Sequence, residues 1–357
     1  MTSAGVADTQ NLIFLGSRSG ALAVYDAIER SGNRNEELAL LTCLRRVHGF
    51  DAITAVTPLP GRTSHITSTL SSYILTSGRN GTYAIHHISR GSNESRVPII
   101  TTVHISTPPF GPMIEGAYFD PFSEELILYG FRSKSFIAWN ESKECEIMNV
   151  ECGGAHRNWS FLPSPTGSGG GVFVWTKSSR LHVHMQSEDS HRVVKRGSHG
   201  REIRALAISP PLTLRKGVTR QILATGSEDT TIRIFEIEHG ENDGCTTFKS
   251  LGTFRKHATG IQHLQWTDCG RYLLSSGGME ELFIWRVRGI PGFGIGGYCE
   301  SVCPIEVDFP DLRIVSFAVT SITSPAKASQ QTLDMVEFVI TAGYSDSTIK
   351  VSWDYQP

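Results

Sequence analysis

GSEDTTIRIF, running from Gly226 to Phe235, is the stretch that decides the fold. A small residue closes the apolar run QILAT, a polar turn follows, and an alternating apolar run begins. That order predicts a β-hairpin, because a strand sends successive side chains to opposite faces and its turn needs residues that tolerate unusual backbone angles. The same frame recurs as GSRSGALAVY from Gly16, GFRSKSFIAW from Gly130 and GYSDSTIKVS from Gly343. Looser copies start at Gly78 (GRNGTYAIHH), at Trp175 (WTKSSRLHVH) and at Gly277 (GGMEELFIW), the last one residue shorter before its aromatic. Seven hairpins result.

Each hairpin follows a further strand-like run, such as AITAVTPL from Ala52, IRALAIS from Ile203, IQHLQW from Ile261 and IVSFAV from Ile314. A unit therefore holds at least three strands, with room for a fourth. The spacing is irregular and near the roughly 40 to 45 residues of a four-stranded propeller blade, plus insertions. One such sheet cannot bury both faces alone, whereas radially arranged sheets bury them against each other. The expectation is an all-β, seven-bladed β-propeller over residues 1–357, its first and last blades incomplete. A β-sandwich would also give short alternating strands, but it does not require seven hairpins in the same phase. Gly16, Gly226 and Gly343 suit the crowded inner part of a blade, and Tyr25, Trp139, Phe235 and Trp285 can fill the space between blades.

Bulk composition agrees with an ordinary soluble protein: 39% hydrophobic and 19% charged residues, enough apolar material for a sizeable core. With 33 Lys plus Arg against 35 Asp plus Glu and a pI near 6.7, the overall basic excess of a dedicated nucleic-acid binder is missing. Seven scattered cysteines with no CxxC pair fit a reduced, cytoplasmic setting. No segment approaches the roughly 20 apolar residues that span a bilayer.

These hairpins resemble the WD-repeat family, most strongly from Ser198 to Arg288. The resemblance implies a hydrogen-bonded relay in each blade: a histidine ahead of the first strand, a Ser or Thr in the second, an acidic turn residue and a Trp in the third. The positions that match are His199, Thr225 and Asp229, with Phe235 where the Trp would stand. The next blade offers His257, Ser276, Glu280 and Trp285, its shortened turn leaving Glu280 open. The last offers Asp346, with Trp353 one place beyond the frame. A Ser-His-Asp catalytic triad would use the same residue types. These residues recur blade by blade instead of converging, as buried polar groups in need of partners do. No catalytic residue and no enzymatic activity are expected.

Other constellations are weak. His182 and His184 share a strand face but lack a third ligand, so they read as exposed strand residues and no metal is expected. His86 and His87 point to opposite faces. Cys299 and Cys303 lack the second pair of a zinc site. Pro291 to Gly297 (PGFGIGG) has no following Lys-Ser/Thr and reads as a shaped connection suited to contact a partner. Gly167 to Gly171 and Ser321 to Gln331 read as surface insertions. From His191 to Arg220 a basic segment carries Arg192, Lys195, Arg196, Arg201, Arg204, Arg215, Lys216 and Arg220 against Glu202. It reads either as a solvated connection or as a surface for phosphate or an acidic partner.

The run HGREIRALAISP, then ILATGSEDTTIRIFEIE, FRKHATGIQHLQW, LLSSGGMEELFIWRVR and PGFGIGGYCESVCP, is similar to one branch of the WD-repeat proteins. That branch comprises the partner subunits of the ribose 2′-O-methyltransferase that acts on the wobble position of the tRNA anticodon, and the likeness is to their C-terminal propeller. It covers His199 to Pro304. It implies a scaffold that docks the methyltransferase and helps position tRNA, touching RNA indirectly or through Arg196, Arg201 and Arg204. S-adenosylmethionine would belong to the partner enzyme, leaving this chain without a cofactor. Family members are long chains with several propellers, so the expectation is the C-terminal part of a longer protein. A general adaptor, such as a ubiquitin-ligase substrate receptor or a trafficking scaffold, remains the alternative because fold does not fix function.

Overall fold

The computed structural model describes residues 1–7, 11–26, 38–60, 71–90, 97–164, 170–186, 199–213, 219–239, 246–303, 311–322 and 337–355. Among them there are strands and turns and no helix. They group into two compact units, Met1–Gly197 with Ile290–Phe293, and Ser198–Gly289 with Gly294–Pro357.

The first unit holds four antiparallel sheets in which strands adjacent in sequence are adjacent in space. These are β1 (Ser3–Ala7), β2 (Leu12–Gly16), β3 (Leu22–Asp26), β4 (Leu40–Leu44); β5 (Ile53–Pro58), β6 (Ser71–Gly78), β7 (Tyr83–Arg90), β8 (Pro98–Ser106); β9 (Met113–Phe119), β10 (Leu126–Arg132), β11 (Ser135–Asn140), β12 (Cys145–Glu151); and β13 (Trp159–Pro163), β14 (Gly171–Lys177), β15 (Arg180–Gln186). The second unit holds β16 (Ile203–Ile208), a ribbon of β17 (Leu212–Thr213) and β18 (Thr219–Arg220), then β19 (Ile222–Ser227), β20 (Thr231–His239) and β21 (Thr246–Arg255). It continues with β22 (His263–Trp266), β23 (Tyr272–Ser276), β24 (Leu282–Ile290), β25 (Gly294–Cys303), and β26 (Ile314–Ile322), β27 (Glu337–Tyr344), β28 (Ile349–Tyr355). Counting the ribbon as an excursion of the β16–β21 sheet, the described residues form seven sheets, five of four strands and two of three. These are the seven sheets that the hairpin frame predicts, but the first, expected to be incomplete, has all four strands because Ser3–Ala7 supplies its opening strand, whereas the last has three among the described residues.

The cores sit between consecutive sheets, which explains why the strands alternate so cleanly. Leu12, Phe14, Leu22 and Val24 pack on Ile53, Val56, Ile74 and Ile88 of the next sheet. Leu75, Tyr83, Ile85 and Val103 meet Ile114, Leu126, Leu128 and Ile137, and Ile127, Phe131, Phe136 and Ala138 meet Phe173 and Trp175. In the second unit Ala224, Ile232, Ile234 and Phe254 face Ile261, Leu264, Phe283 and Trp285. Leu274 and Ile284 then face Ile314, Phe317 and Ile340. Full burial of each such side chain contributes about 1.5 to 3 kcal/mol, so each sheet draws its stability from its neighbour.

Strand register exposes one error in the sequence frame. Gly16 pairs with Leu22, Gly226 with Ile232 and Gly343 with Ile349, each with the residue six positions on. The equivalents in the other two hairpins of this kind are Ser77, paired with Tyr83, and Ser276, paired with Leu282. The copies placed at Gly78 and Gly277 therefore begin one residue too late. With the frame set on Ser276 its span to Trp285 is no longer short. Serine serves because the position needs a small side chain: a Cβ on Gly226 would lie 2.5 Å from Ile261, and one on Gly16 would lie 2.8 Å from Ile53. The hairpins at Gly130 and Trp175 close more tightly. Ser178 and Ser179, with φ of 49° and 60°, make the two-residue turn between Lys177 and Arg180, whose paired left-handed angles match strand twist.

Two further expectations are overturned. Ile290 is buried among Leu75, Tyr83 and Leu126, with Phe293 packed on the same cluster and its ring 5.0 Å from that of His104. The PGF turn is thus anchored on the core of the first unit by Ile290 and Phe293 and is not a free loop, while Pro291 between them is exposed. On β15, His182 and His184 turn half-buried toward the sheet while Leu181, Val183 and Met185 are exposed. His182 stacks on Trp175 at 5.1 Å, and that contact orients the strand opposite to simple hydrophobic alternation. Cys299 lies in strand β25. Residues 165–169 and 323–336, which include most of both supposed insertions, lie outside the described residues.

Candidate functional site

The relay positions are built by two local features: the approach to a blade's first strand and the turn between its second and third. In the β16–β21 blade, His199 Nδ1 lies 3.0 Å from Asp229 Oδ2, and its Nε2 lies 2.7 Å from the Thr225 hydroxyl. Asp229 also accepts from the Gly200 amide at 2.8 Å and from the Thr231 amide and hydroxyl at 3.0 and 2.6 Å. Burial pulls the Asp229 pKa upward, but the Thr231, Gly200 and His199 bonds outweigh it and hold the carboxyl at about 2. Phe235 occupies the aromatic position, ten residues after Thr225, and offers no ring donor.

The next blade completes the set with different residues from those the sequence frame selects. His257 Nε2 lies 2.7 Å from Ser275 Oγ, and Trp285 Nε1–H donates to the same oxygen at 2.9 Å. Ser276 instead donates to the Ile314 carbonyl at 3.0 Å. The acid on His257 Nδ1 is Glu281, at 2.9 Å, while Glu280 turns to Lys350 at 3.3 Å. Glu281 stands where Thr231 does in the preceding blade, two residues beyond the Asp229 position, and its longer side chain spans the gap. Burial raises the Glu281 pKa, and the bonds from His257, Ala258 and Thr259 reverse this and leave it lowered.

A third relay escaped the frame that begins at Gly78. His48 Nε2 lies 2.9 Å from Thr76 Oγ1 and its Nδ1 lies 2.9 Å from Thr82 Oγ1. Asn80, at the Asp229 position, accepts from the Thr82 amide and hydroxyl at 3.1 and 2.8 Å. His86 takes the aromatic position, ten residues after Thr76. Its Nε2 lies 2.9 Å from Thr76 Oγ1 and its Nδ1 3.1 Å from Thr102 Oγ1. Here there is no carboxylate in the turn. Burial pushes His48 down to about 4, and burial with the nearby His48 pushes His86 down to about 3. Both imidazoles are therefore neutral at pH 7. Setting the frame on Ser77 would have found them.

Asp346 sits at the Asp229 position of the last blade and accepts from the Thr348 amide and hydroxyl at 2.9 and 2.6 Å. These bonds from Thr348 lower its pKa. No histidine meets it among the described residues.

A concave feature lies in the second unit, at the end of its sheets where these turns emerge. A cavity of about 410 Å³ is lined by Arg201, Arg204 and Arg313, by Glu228 and Asp311, and by polar Thr259 and Gln262. Arg204 is paired with Glu228 and, at 3.3 Å, with Glu202. Arg201 and Arg313 are exposed and form no ion pair among the described residues. Of the basic segment, then, two candidate residues reach the cavity, one of them neutralised by Glu228, which lies outside the segment in sequence. Arg196 lies outside the described residues, as do Arg192, Lys195, Arg215 and Lys216. No group of three or more His, Cys, Asp and Glu suited to a metal occurs among the described residues.

The model of the WD domain, G-beta repeat, matches residues 192–236 and 248–280. The chain carries WD repeats. From residue 198 onward the matches fall in the second unit, on the two blades whose relays include a carboxylate. Curated relatives share the name tRNA (34-2′-O)-methyltransferase regulator WDR6. The protein from Homo sapiens is 25% identical over 199 residues, which is 55% of this chain and 16% of the relative. The one from Rattus norvegicus is 23% identical over 222 residues, 56% of this chain and 18% of the relative. The aligned stretch thus spans less than a fifth of these relatives. Among solved structures, Sqt1 from Chaetomium thermophilum matches with a TM-score of 0.33 at 13% identity, covering 100% of this chain and 83% of that one.

Proposed function

We propose that this chain is a non-catalytic WD-repeat scaffold that docks a tRNA ribose 2′-O-methyltransferase and helps position tRNA for methylation of the wobble nucleotide. The observation that carries the reading is the similarity over about half the chain to proteins named as regulators of that reaction. The relays give it physical support. The relay histidines His48, His199 and His257 are bonded within their own blades and their side chains are almost fully buried, so a substrate has no access to them as general bases. In this reading the partner enzyme holds S-adenosylmethionine. The scaffold raises the rate by holding enzyme and tRNA in register, which removes an entropic barrier without supplying a reacting group.

The test is co-purification of the full chain with the methyltransferase subunit, followed by ribose methylation of a tRNA transcript with and without the chain. Capture of the enzyme and a rise in methylation at the wobble position are expected. Capture of ubiquitin-ligase linker or vesicle-coat proteins without the enzyme would favour the adaptor reading instead.

A further inference from the structure

We infer that the cavity bounded by Arg201 and Arg313 is a receptor for a carboxylate-bearing side chain of a protein partner, and not a path for the RNA backbone. The inference rests on the scaffold reading only for which protein supplies the side chain.

Charge is the first argument. Sequence-independent binding to RNA grows with the number of phosphates neutralised by free cations. Here Arg204 is already held by Glu228 and Glu202, and Asp311 also stands in the wall. A run of phosphates crossing this surface would meet carboxylates as often as unpaired arginines. One projecting carboxylate, by contrast, can take a forked hydrogen-bond pair from a guanidinium whose donors are unclaimed.

Shape and lining point the same way. The feature is concave and, at about 410 Å³, has room for two or three side chains. Among the described residues no aromatic ring lines it, so none of them offers the platform on which single-stranded bases stack. In its wall Met279 is 39% exposed. Arginine and methionine are among the residues enriched where proteins meet proteins. Met279 also has a left-handed backbone, φ 54°, in a turn tied to the approach to β26 by the amide of Glu280 donating to the Leu312 carbonyl at 2.9 Å. The rim is therefore built before any partner arrives.

The experiment uses the full chain with ¹⁵N-labelled arginine, following the Nε–H signals of Arg201 and Arg313. Three probes are titrated: the capped peptide Gly-Leu-Glu-Leu-Gly, its Gln counterpart, and a nine-nucleotide oligouridylate. The Glu peptide should shift both signals saturably, and the Gln peptide should bind about tenfold more weakly because the charge-assisted bonds are lost. The double variant Arg201→Gln/Arg313→Gln should lose the Glu-peptide response. Glu228→Gln should tighten it about threefold by releasing Arg204, an effect that a merely folded-state role of Glu228 would not produce. Equal affinity for the Glu and Gln peptides, no saturation, or stronger binding of oligouridylate at these two arginines overturns the inference. No methyltransferase is present, so failure here is separate from failure of the co-purification.

Discussion

Acidification should weaken the β5–β8 blade, and the neutral relay sets by how much. His48 and His86 share Thr76 as a partner, and their pKa values stand at about 4 and about 3 against 6.5 for an unburied imidazole. Above pH 6.5 both are neutral in folded and unfolded chains, and stability does not depend on them. As pH falls, the unfolded chain takes up protons that the folded blade refuses, so stability declines from about 6.5 until the folded values are reached. At pH 5 each unfolded imidazole lies about 1.5 units below its ordinary pKa, which at roughly 1.4 kcal/mol per unit removes about 2 kcal/mol per histidine. The pair together removes about 4 kcal/mol, a large share of the roughly 5 to 15 kcal/mol that stabilises a domain.

Urea unfolding at pH 7.5, 6 and 5, joined to hydrogen–deuterium exchange of peptides covering residues 71–90, measures this directly. Protection in those peptides should fall as pH drops, and His86→Gln should halve the pH-dependent loss while retaining donors and acceptors for Thr76 and Thr102. A stability that stays flat between pH 7.5 and 5, or an unchanged slope in His86→Gln, would refute the assignment of buried neutral imidazoles.

Two substitutions test the charged relays. Asp229→Ala strips partners from His199, the Gly200 amide and Thr231 and should cost about 1 to 3 kcal/mol in chemical denaturation; an unchanged midpoint would contradict it. Ser275→Ala leaves both a buried histidine nitrogen and the Trp285 N–H without their shared oxygen, so it should cost about 2 kcal/mol more than Ser276→Ala, which loses one bond to a carbonyl. The opposite order would restore the sequence-based register.

Most of the fold was legible because inter-sheet packing demands alternation, and alternation is written in the apolar residues of strands such as β19, β20 and β24. What escaped was phase. A glycine marks the start of three hairpins, but the physical requirement is a small side chain against the next blade, and Ser77 and Ser276 satisfy it as well. Keying on glycine displaced two frames by one residue. That shift exchanged Ser275 for Ser276 and concealed His48, Thr76 and His86 altogether; Glu281 escaped for a different reason, since it stands at the Thr231 position and reaches His257 by its longer side chain. Arg201 and Arg204 stood out through local basicity, whereas Glu228 and Arg313 join them only through folding, from different turns.

The corrected register also explains why one relay differs in kind from the others. Position by position, Asp229 is replaced by Asn80 and Trp285 by His86, so the β5–β8 blade keeps the hydrogen-bond geometry and discards the charge. Where a carboxylate is present, its lowered pKa means that stability is held above the unfolded carboxyl value and lost only as pH drops through the folded one, about 2 for Asp229. Where it is absent, the loss begins near pH 6.5. Blades of one repeat can thus share a scaffold of hydrogen bonds and still part company along the pH axis. The two charged relays stand beside the arginine-lined cavity: Glu228 precedes Asp229, and Thr259, which donates to Glu281 at 3.0 Å, lines its wall. Bonds that fix these turns also fix the cavity rim.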